Sequence, residues 1–368
     1  MEEKCTSFLF MINRTPIARS IAIVRHFING SLGLSLETHS LTGFELSESL
    51  LDAVAYNTYI ETVANKSDTI YAHAKNAMHE MTTHSYLDYI GRISQRFDWK
   101  SKPAMLAFDY TEEDFYGEVQ GLDIHGWKKG EAITGKFKFL TCSLISDDVP
   151  QKIPLVSIPI QIGHNMAYAV IYCLKAIEPY IDKISLALFD RGFYAKELMY
   201  ELQQLNIPYL ILVRKGKDDN YIKEELAKMQ KTEKKIIPHI YELNKDKTYY
   251  EFESNLIFLK SIYTKSLDKE IDWVFVTNVE EIQLDTIIQT YRKRWRIETG
   301  YRVQDEATIK CKSKKMKIRY FLFVFEQLLQ TIWSCFYKEE VSFKEFLIEM
   351  HKVNKDLVAH PRESYGKA

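Results

Sequence analysis

Three acidic residues stand where chemistry is easiest to arrange. Asp109 follows the apolar run Met105–Phe108. Asp190 follows Ile184–Phe189 and precedes Arg191 and Gly192. Glu298 lies in a helical stretch with Arg294 four residues before it and Arg302 four residues after. Carboxylate oxygens are hard donors, and three of them brought together suit Mg²⁺ or Mn²⁺. Two such ions about 3.5–4 Å apart activate a water or a 3′-hydroxyl and stabilise the leaving oxygen of a phosphoryl transfer. Without metal, three clustered carboxylates repel, and at least one takes up a proton. Each acid taken singly also has a plainer role open to it. Asp109 can be a polar strand end beside Glu112, Glu113 and Asp114. Asp190 can form a turn before Gly192. Glu298 can pair along its helix with Arg294 or Arg302.

Whether the acids can meet depends on the elements around them. Residues 1 to about 95 read as helical, with Leu50, Leu51, Val54, Ala55, Tyr59 and Val63 near helical spacing. From Ser101 the pattern changes. A buried strand is expected at Met105–Tyr110, then strands at Lys136–Ile145 and Ile153–Ile162, separated by the turn signal Ser146–Pro150. A helix follows at Ala167–Ile181, a strand at Ile184–Phe189, a helix at Ala195–Leu205 and a strand at Tyr209–Val213. Short strands at Lys247–Phe252, Leu256–Leu259 and Trp273–Thr277 lie in a Lys- and Tyr-rich stretch. A helix over Glu281–Tyr301 and an apolar helix over Tyr320–Tyr337 complete the order. Three strands, a helix, a strand, a helix, a strand and a late helix predict an α/β, ribonuclease-H-like fold: a mixed five-stranded sheet with helices on both faces. In that sheet Asp109 and Asp190 end neighbouring strands, and Glu298 reaches across the same edge. The expected organisation is a helical region at 1–98, a catalytic domain at 99–338 with a mainly β insertion at about 215–280, and a C-terminal tail at 339–368.

These blocks resemble a known family. Tyr291, Arg294 and Glu298 stand in the order Tyr-x₂-Arg-x₃-Glu, the start of the YREK signature. Asp190-Arg191-Gly192-Phe193 resembles the block around a second catalytic acid. Phe108-Asp109-Tyr110 followed by Phe115-Tyr116-Gly117 resembles the block around a first. All three occur in this order in cut-and-paste DDE transposases of bacterial and archaeal insertion sequences. The resemblance spans roughly residues 100 to 330. Asp109 and Asp190 are 81 residues apart, Asp190 and Glu298 108, a gap long enough for the β insertion of this group. The resemblance implies catalysis by Asp109, Asp190 and Glu298 with two Mg²⁺ or Mn²⁺ ions, and cleavage of double-stranded DNA at terminal inverted repeats. Joining of the 3′-hydroxyl to target DNA by a homodimer would follow. It places Tyr291 and Arg294 against the DNA near the cut. The signature has Lys seven residues after its Glu, where this chain has Asp305. Arg302 or Lys310 can substitute, and a decayed or domesticated copy that only binds DNA is the alternative. Failure of end joining despite efficient nicking would instead mark a nuclease.

Charge agrees locally with that partner. Net charge is −1 overall, which by itself argues against nucleic acid. From Tyr291 to Arg319, however, eleven Lys/Arg face three Asp/Glu, a local net of +8, while the first ninety residues carry −4. Arg191, Arg302, Lys310, Lys312, Lys314, Lys315 and Lys317 are the candidate phosphate contacts, which position DNA without reading its sequence. Trp295 is expected to pack its helix onto the sheet. His125 and His164 are expected to be satisfied or surface histidines. No GxSxG or Cys–His pattern supports nucleophilic catalysis, and a two-carboxylate glycosidase would not need the basic tract. The five cysteines form no CxxC pair, so neither a zinc cluster nor a disulfide framework is expected. The apolar stretch Phe8–Ile12 is too short to span a membrane, and the expected setting is the prokaryotic cytoplasm, at the nucleoid.

Overall fold

The computed structural model describes residues 16–34, 43–64, 67–119, 121–126, 133–149, 152–214, 220–264 and 268–359. Cys5, the stretch Phe8–Ile12 and Pro150 lie outside them.

The chain opens with helices α1 (Pro16–Leu32), α2 (Gly43–Tyr56), α3 (Ile60–Val63), α4 (Ser67–Asn76) and α5 (His79–Phe97). Strands β1 (Ala104–Phe115), β2 (His125–Gly126), β3 (Gly135–Leu144) and β4 (Ile153–Ile160) follow. Next come α6 (Met166–Ile177), β5 (Ile184–Phe189), α7 (Lys196–Gln204) and β6 (Tyr209–Leu212). The remainder is α8 (Asn220–Lys228), β7 (Lys234–Lys245), β8 (Thr248–Thr264), β9 (Lys269–Thr277), α9 (Ile287–Arg292), α10 (Trp295–Gln304), α11 (Met316–Phe336) and α12 (Phe343–Ala359).

The expected five strands pair in the order β4-β3-β1-β5-β6. β3 is antiparallel to both β4 and β1, and β1, β5 and β6 run parallel. This is the mixed α/β ribonuclease-H-like sheet. The inserted residues extend it: β9 pairs antiparallel with β6, β8 with β9, and β7 with β8. Two of the expected short strands are one long strand, β8, bulged between Leu259 and Ile262. Strand β7 was not expected, because Pro238 and its lysines break the apolar pattern. On an edge strand the missing Pro N–H faces no partner and costs little. The β7–β8 hairpin turns through Asp246 and Lys247, both at positive φ, as a two-residue primed turn requires.

The two faces carry cores of different size. On one face α5, α6, α7 and α11 cover Phe108, Phe139, Leu155 and Phe189. Helix α11 is buried continuously from Ile318 to Ile332, as its nearly all-round apolar sequence requires. Phe139 on β3 stacks on Phe323 of α11 with centroids 4.4 Å apart. The N-terminal helices join this same core. The residues expected as a tail contain α12, whose Phe346, Leu347 and Met350 are buried. His351 Nδ1 meets Asp52 of α2 at 2.6 Å, and Arg25 of α1 donates to Asn354 at 2.8 Å. A helix with one apolar face and buried polar partners is not free to be a tail. On the second face α9 and α10 lie over Ala107, Leu188, Leu210, Trp273 and Phe275. Among the described residues no helix is long and apolar enough to cross a membrane.

Phe139→Ala removes a fully buried ring that joins the sheet to α11. It is expected to cost about 3–5 kcal/mol, read as a lower urea midpoint with unchanged slope. An unchanged midpoint would show that α11 is not held through this ring.

Candidate active site

Strand pairing brings the two aspartates together. The β1–β5 ladder ends with Phe108 opposite Phe189, so Asp109 and Asp190 are each the next residue on adjacent strands. Asp109 was expected to end its strand and does not. β1 continues to Phe115, paired only with β3, and Asp109 lies opposite Thr141. Alternation along the strand sends Phe108 and Tyr110 to the α6–α7 side and Asp109 to the α9–α10 side. Phe108 stacks on Phe189 at 4.8 Å and Tyr110 on Phe193 at 4.9 Å, an apolar floor beneath both acids. Asp190 caps a single 3₁₀ turn, Arg191–Phe193, by accepting from Gly192 N at 2.7 Å. A Cβ at Gly192 would stand 2.9 Å from that carboxylate oxygen, so glycine here is what lets Asp190 fold back.

Glu298 arrives from the second face. The long helix expected over Glu281–Tyr301 starts only at Ile287 and is broken into α9 and α10, with tightened i→i+3 bonds at Lys293, Arg294, Arg296 and Ile297. Arg294 lies in the break. Its guanidinium donates to Glu298 Oε1 at 2.8 Å and to Asp109 Oδ2 at 3.3 Å. Arg294 is only 7% exposed, and its Nε has no partner. Tyr301, one turn after Glu298, donates to the Asp109 carbonyl at 3.4 Å and pins α10 over β1. At the other end of α10, Arg296 donates to Ile145 O at 2.8 Å and to Asp147 at 2.7 Å, and Lys293 also binds Asp147. These two cations hold Asp147 down to about 2.

The electrostatics record the crowding. Asp109 is pushed up to about 6. Burial is the main cause, and the Asp190 and Glu298 charges add to it, while Arg294 and the Tyr110 N–H oppose it. The Arg294 guanidinium is held above its ordinary value. Burial disfavours its charge, but Tyr291, Asp109 and Glu298 outweigh that. A divalent cation would relieve the three acids, so the donor set fits one in chemistry. The arrangement is closed on Arg294 instead: among the described residues no group of three or more His, Cys, Asp or Glu side chains is gathered tightly enough to hold a metal ion.

The other expected site residues divide into three sets. Tyr291 is 2% exposed and packs against both Trp273 and Phe275, so in this structure it is a core aromatic. Arg294 points its fork at the acids, not outward. Trp295, expected to pack, is 37% exposed, with Arg292 5.8 Å from its ring. Arg191, Arg302, Lys310, Lys312, Lys314, Lys315 and Lys317 are all exposed. The loop carrying the lysines is fixed from below. Arg319 donates to Ser313 O at 3.0 Å, Ile309 N to Glu326 at 2.8 Å and Lys310 N to Thr58 O at 3.1 Å. Lys310 lines the same ≈ 230 Å³ cavity as Asp305. His125, on β2, bonds Ile160 O, and His164 Nδ1 accepts from Gln161 N in the loop after β4, so each has a partner. Tyr301 and Asp147 were missed. Tyr301 had a signal, an aromatic three residues after Glu298. Asp147 had none, since it sits in an ordinary turn far from the motif.

The chain has a ribonuclease-H-like fold with acids at its sheet edge. Residues 164–333 match the transposase DDE domain family, a span that includes Asp190 and Glu298 but begins after Asp109. The structure is similar to piggyBac transposase in a cryo-EM structure of its synaptic complex with hairpin DNA. The TM-score is 0.58 at 11% identity, over 95% of this chain and 80% of that one. No curated protein matches the chain.

A pH series in EDTA tests the crowding. The folded value of Asp109, about 6, lies above its ordinary 3.8. The native protein therefore holds the extra proton between pH 4 and 6 and loses stability as pH rises through that window. Asp109→Asn has no such proton to lose. Relative to wild type it should gain up to roughly 3 kcal/mol between pH 4 and 7. The lost Arg294 bond adds a nearly constant offset, so the slope is the readout. Parallel stability curves would show that Asp109 ionises normally.

Proposed function

We propose that the chain is a transposase that cuts DNA at the ends of a mobile element and joins the freed 3′-hydroxyl to target DNA. Asp109, Asp190 and Glu298 are its catalytic carboxylates and the holders of two Mg²⁺ or Mn²⁺ ions. The observation that carries this reading is the register of β1 and β5, which leaves two aspartates side by side under a helix that presents a glutamate. Bound there, the ions would activate the water or 3′-hydroxyl and stabilise the leaving oxygen.

The chain's own residues do the rest. Tyr301 and the Asp147 clamp orient α10. Gly192 N holds one oxygen of Asp190. Arg191 is exposed one residue beyond Asp190, within reach of a phosphate lying over the acids. The lysines from Lys310 to Lys315 project from an anchored loop, Lys317 from the first turn of α11, and together they supply sequence-independent phosphate contacts. Because Lys310 shares a cavity with Asp305, it is the cation best placed to do the work of the signature's missing lysine. The helical N-terminal region, acidic on average, serves pairing of two copies better than it serves a large DNA footprint. Two element ends cut together call for such a pair. A second reading, a decayed copy that binds DNA without cutting it, is favoured by Asp305 alone.

Labelled duplex carrying the element's ends should be cut in Mg²⁺ or Mn²⁺ and not in EDTA. Glu298→Gln should lower the rate by about a thousandfold or more, the scale of losing a transition-state stabiliser, while leaving end binding intact. Wild type that binds ends but never cuts in any metal would replace this reading with the non-catalytic one.

A further inference from the structure

Arg294 occupies the space that a cation between the acids needs. Both Nη atoms are committed, one to Asp109 and one to Glu298, so two of the three carboxylates close on the guanidinium. A divalent ion entering among the acids would meet a fixed positive charge at bonding distance from two of its own donors. Guanidinium and metal are therefore competitors for the same oxygens. Arg294 is also not locked in from every side. Its Nε bonds nothing, and the Glu298 side chain it grips is 43% exposed, so the guanidinium has a route to the surface along that residue. A phosphate diester at the mouth of the site offers the planar two-oxygen acceptor that a guanidinium fork binds as well as it binds a carboxylate.

We propose that Arg294 is a built-in counter-cation that keeps the site poorly loaded with metal until DNA is present. A backbone phosphate draws the guanidinium off Asp109 and Glu298 and frees both for the ions. This rests on the proposed role of the three acids. Metal and DNA then bind with positive coupling. By linkage the coupling is reciprocal, so metal tightens DNA by the factor by which DNA tightens metal. The arrangement would keep an unoccupied nuclease from holding active metal away from its substrate.

The test is Mn²⁺ binding to metal-free protein, followed by loss of the free-ion paramagnetic resonance signal, with and without a short non-specific duplex. Binding to duplex alone is subtracted. Wild type is expected to bind Mn²⁺ weakly alone and about tenfold more tightly with duplex, within the usual range of coupling between sites. Arg294→Gln should bind as tightly without duplex as wild type does with it, and gain little from DNA. Arg294→Lys, which keeps the charge but not the fork, should bind Mn²⁺ alone more weakly than Arg294→Gln does and guards against a fold defect in the glutamine variant. Equal Mn²⁺ affinity of wild type and Arg294→Gln in the absence of DNA would overturn the proposal. If Glu298→Gln leaves Mn²⁺ binding unchanged in every protein and condition, the failure lies instead with the acids as metal holders.

Discussion

The parallel pairing of β1 with β5 stops at Phe108 and Phe189, and the next residue on each strand is an aspartate. Neither acid can retreat. Behind them lie Phe108, Phe189, Tyr110 and Phe193 in ring contact, and the strands fix the backbone on either side. Two carboxylates held side by side over an apolar floor need a positive charge, and burial makes the need greater. In the free chain that charge is Arg294. The buried guanidinium, the raised Asp109 and the pairing of Arg294 with Glu298 are three consequences of one strand register.

The third acid depends on a different mechanical arrangement. Glu298 is carried by a helix broken just before it, and a break of this kind would leave α10 free to rotate. Two contacts remove that freedom. Tyr301 ties the helix to the backbone of Asp109 itself, and Arg296 with Lys293 ties its start to Asp147, beyond the end of β3. Asp147 and the Asp109 carbonyl both belong to the β1–β3 part of the sheet. The glutamate is thus referenced to the same strands as the first aspartate, although nearly two hundred residues of chain separate the two.

Much of this was legible in the chain. Apolar runs that stop at an acid gave both aspartates. The order of strands and helices gave the sheet, since a five-strand order with two helical crossovers leaves few topologies. What escaped reading has physical causes. Periodicity does not distinguish one helix from two with a tightened turn between them, so the break at Lys293–Arg294 was invisible. The spacing of Tyr291, Arg294 and Glu298 puts them on one helix face but does not say what that face meets. Tyr291 meets Trp273 and Phe275, aromatic rings that sequence places in a remote strand. Strand β7 was hidden by Pro238 and its lysines, which are tolerated only because the strand lies at an edge.

Those aromatic contacts change what the inserted residues are for. An insertion between the last strand of a sheet and the helix that follows could fold as a separate lobe. This one continues the sheet from β6 through β9, β8 and β7, and moves the open edge three strands outward to β7. There Pro238 and Lys234, Lys235 and Lys245 discourage pairing with another chain. In the same step it places Trp273 and Phe275 beneath α9, where they hold Tyr291 three residues before Arg294. The helix that brings in Arg294 and Glu298 therefore rests on a platform built partly from the insertion. The wide gap in sequence between the second and third acids is occupied by the surface on which the third is mounted.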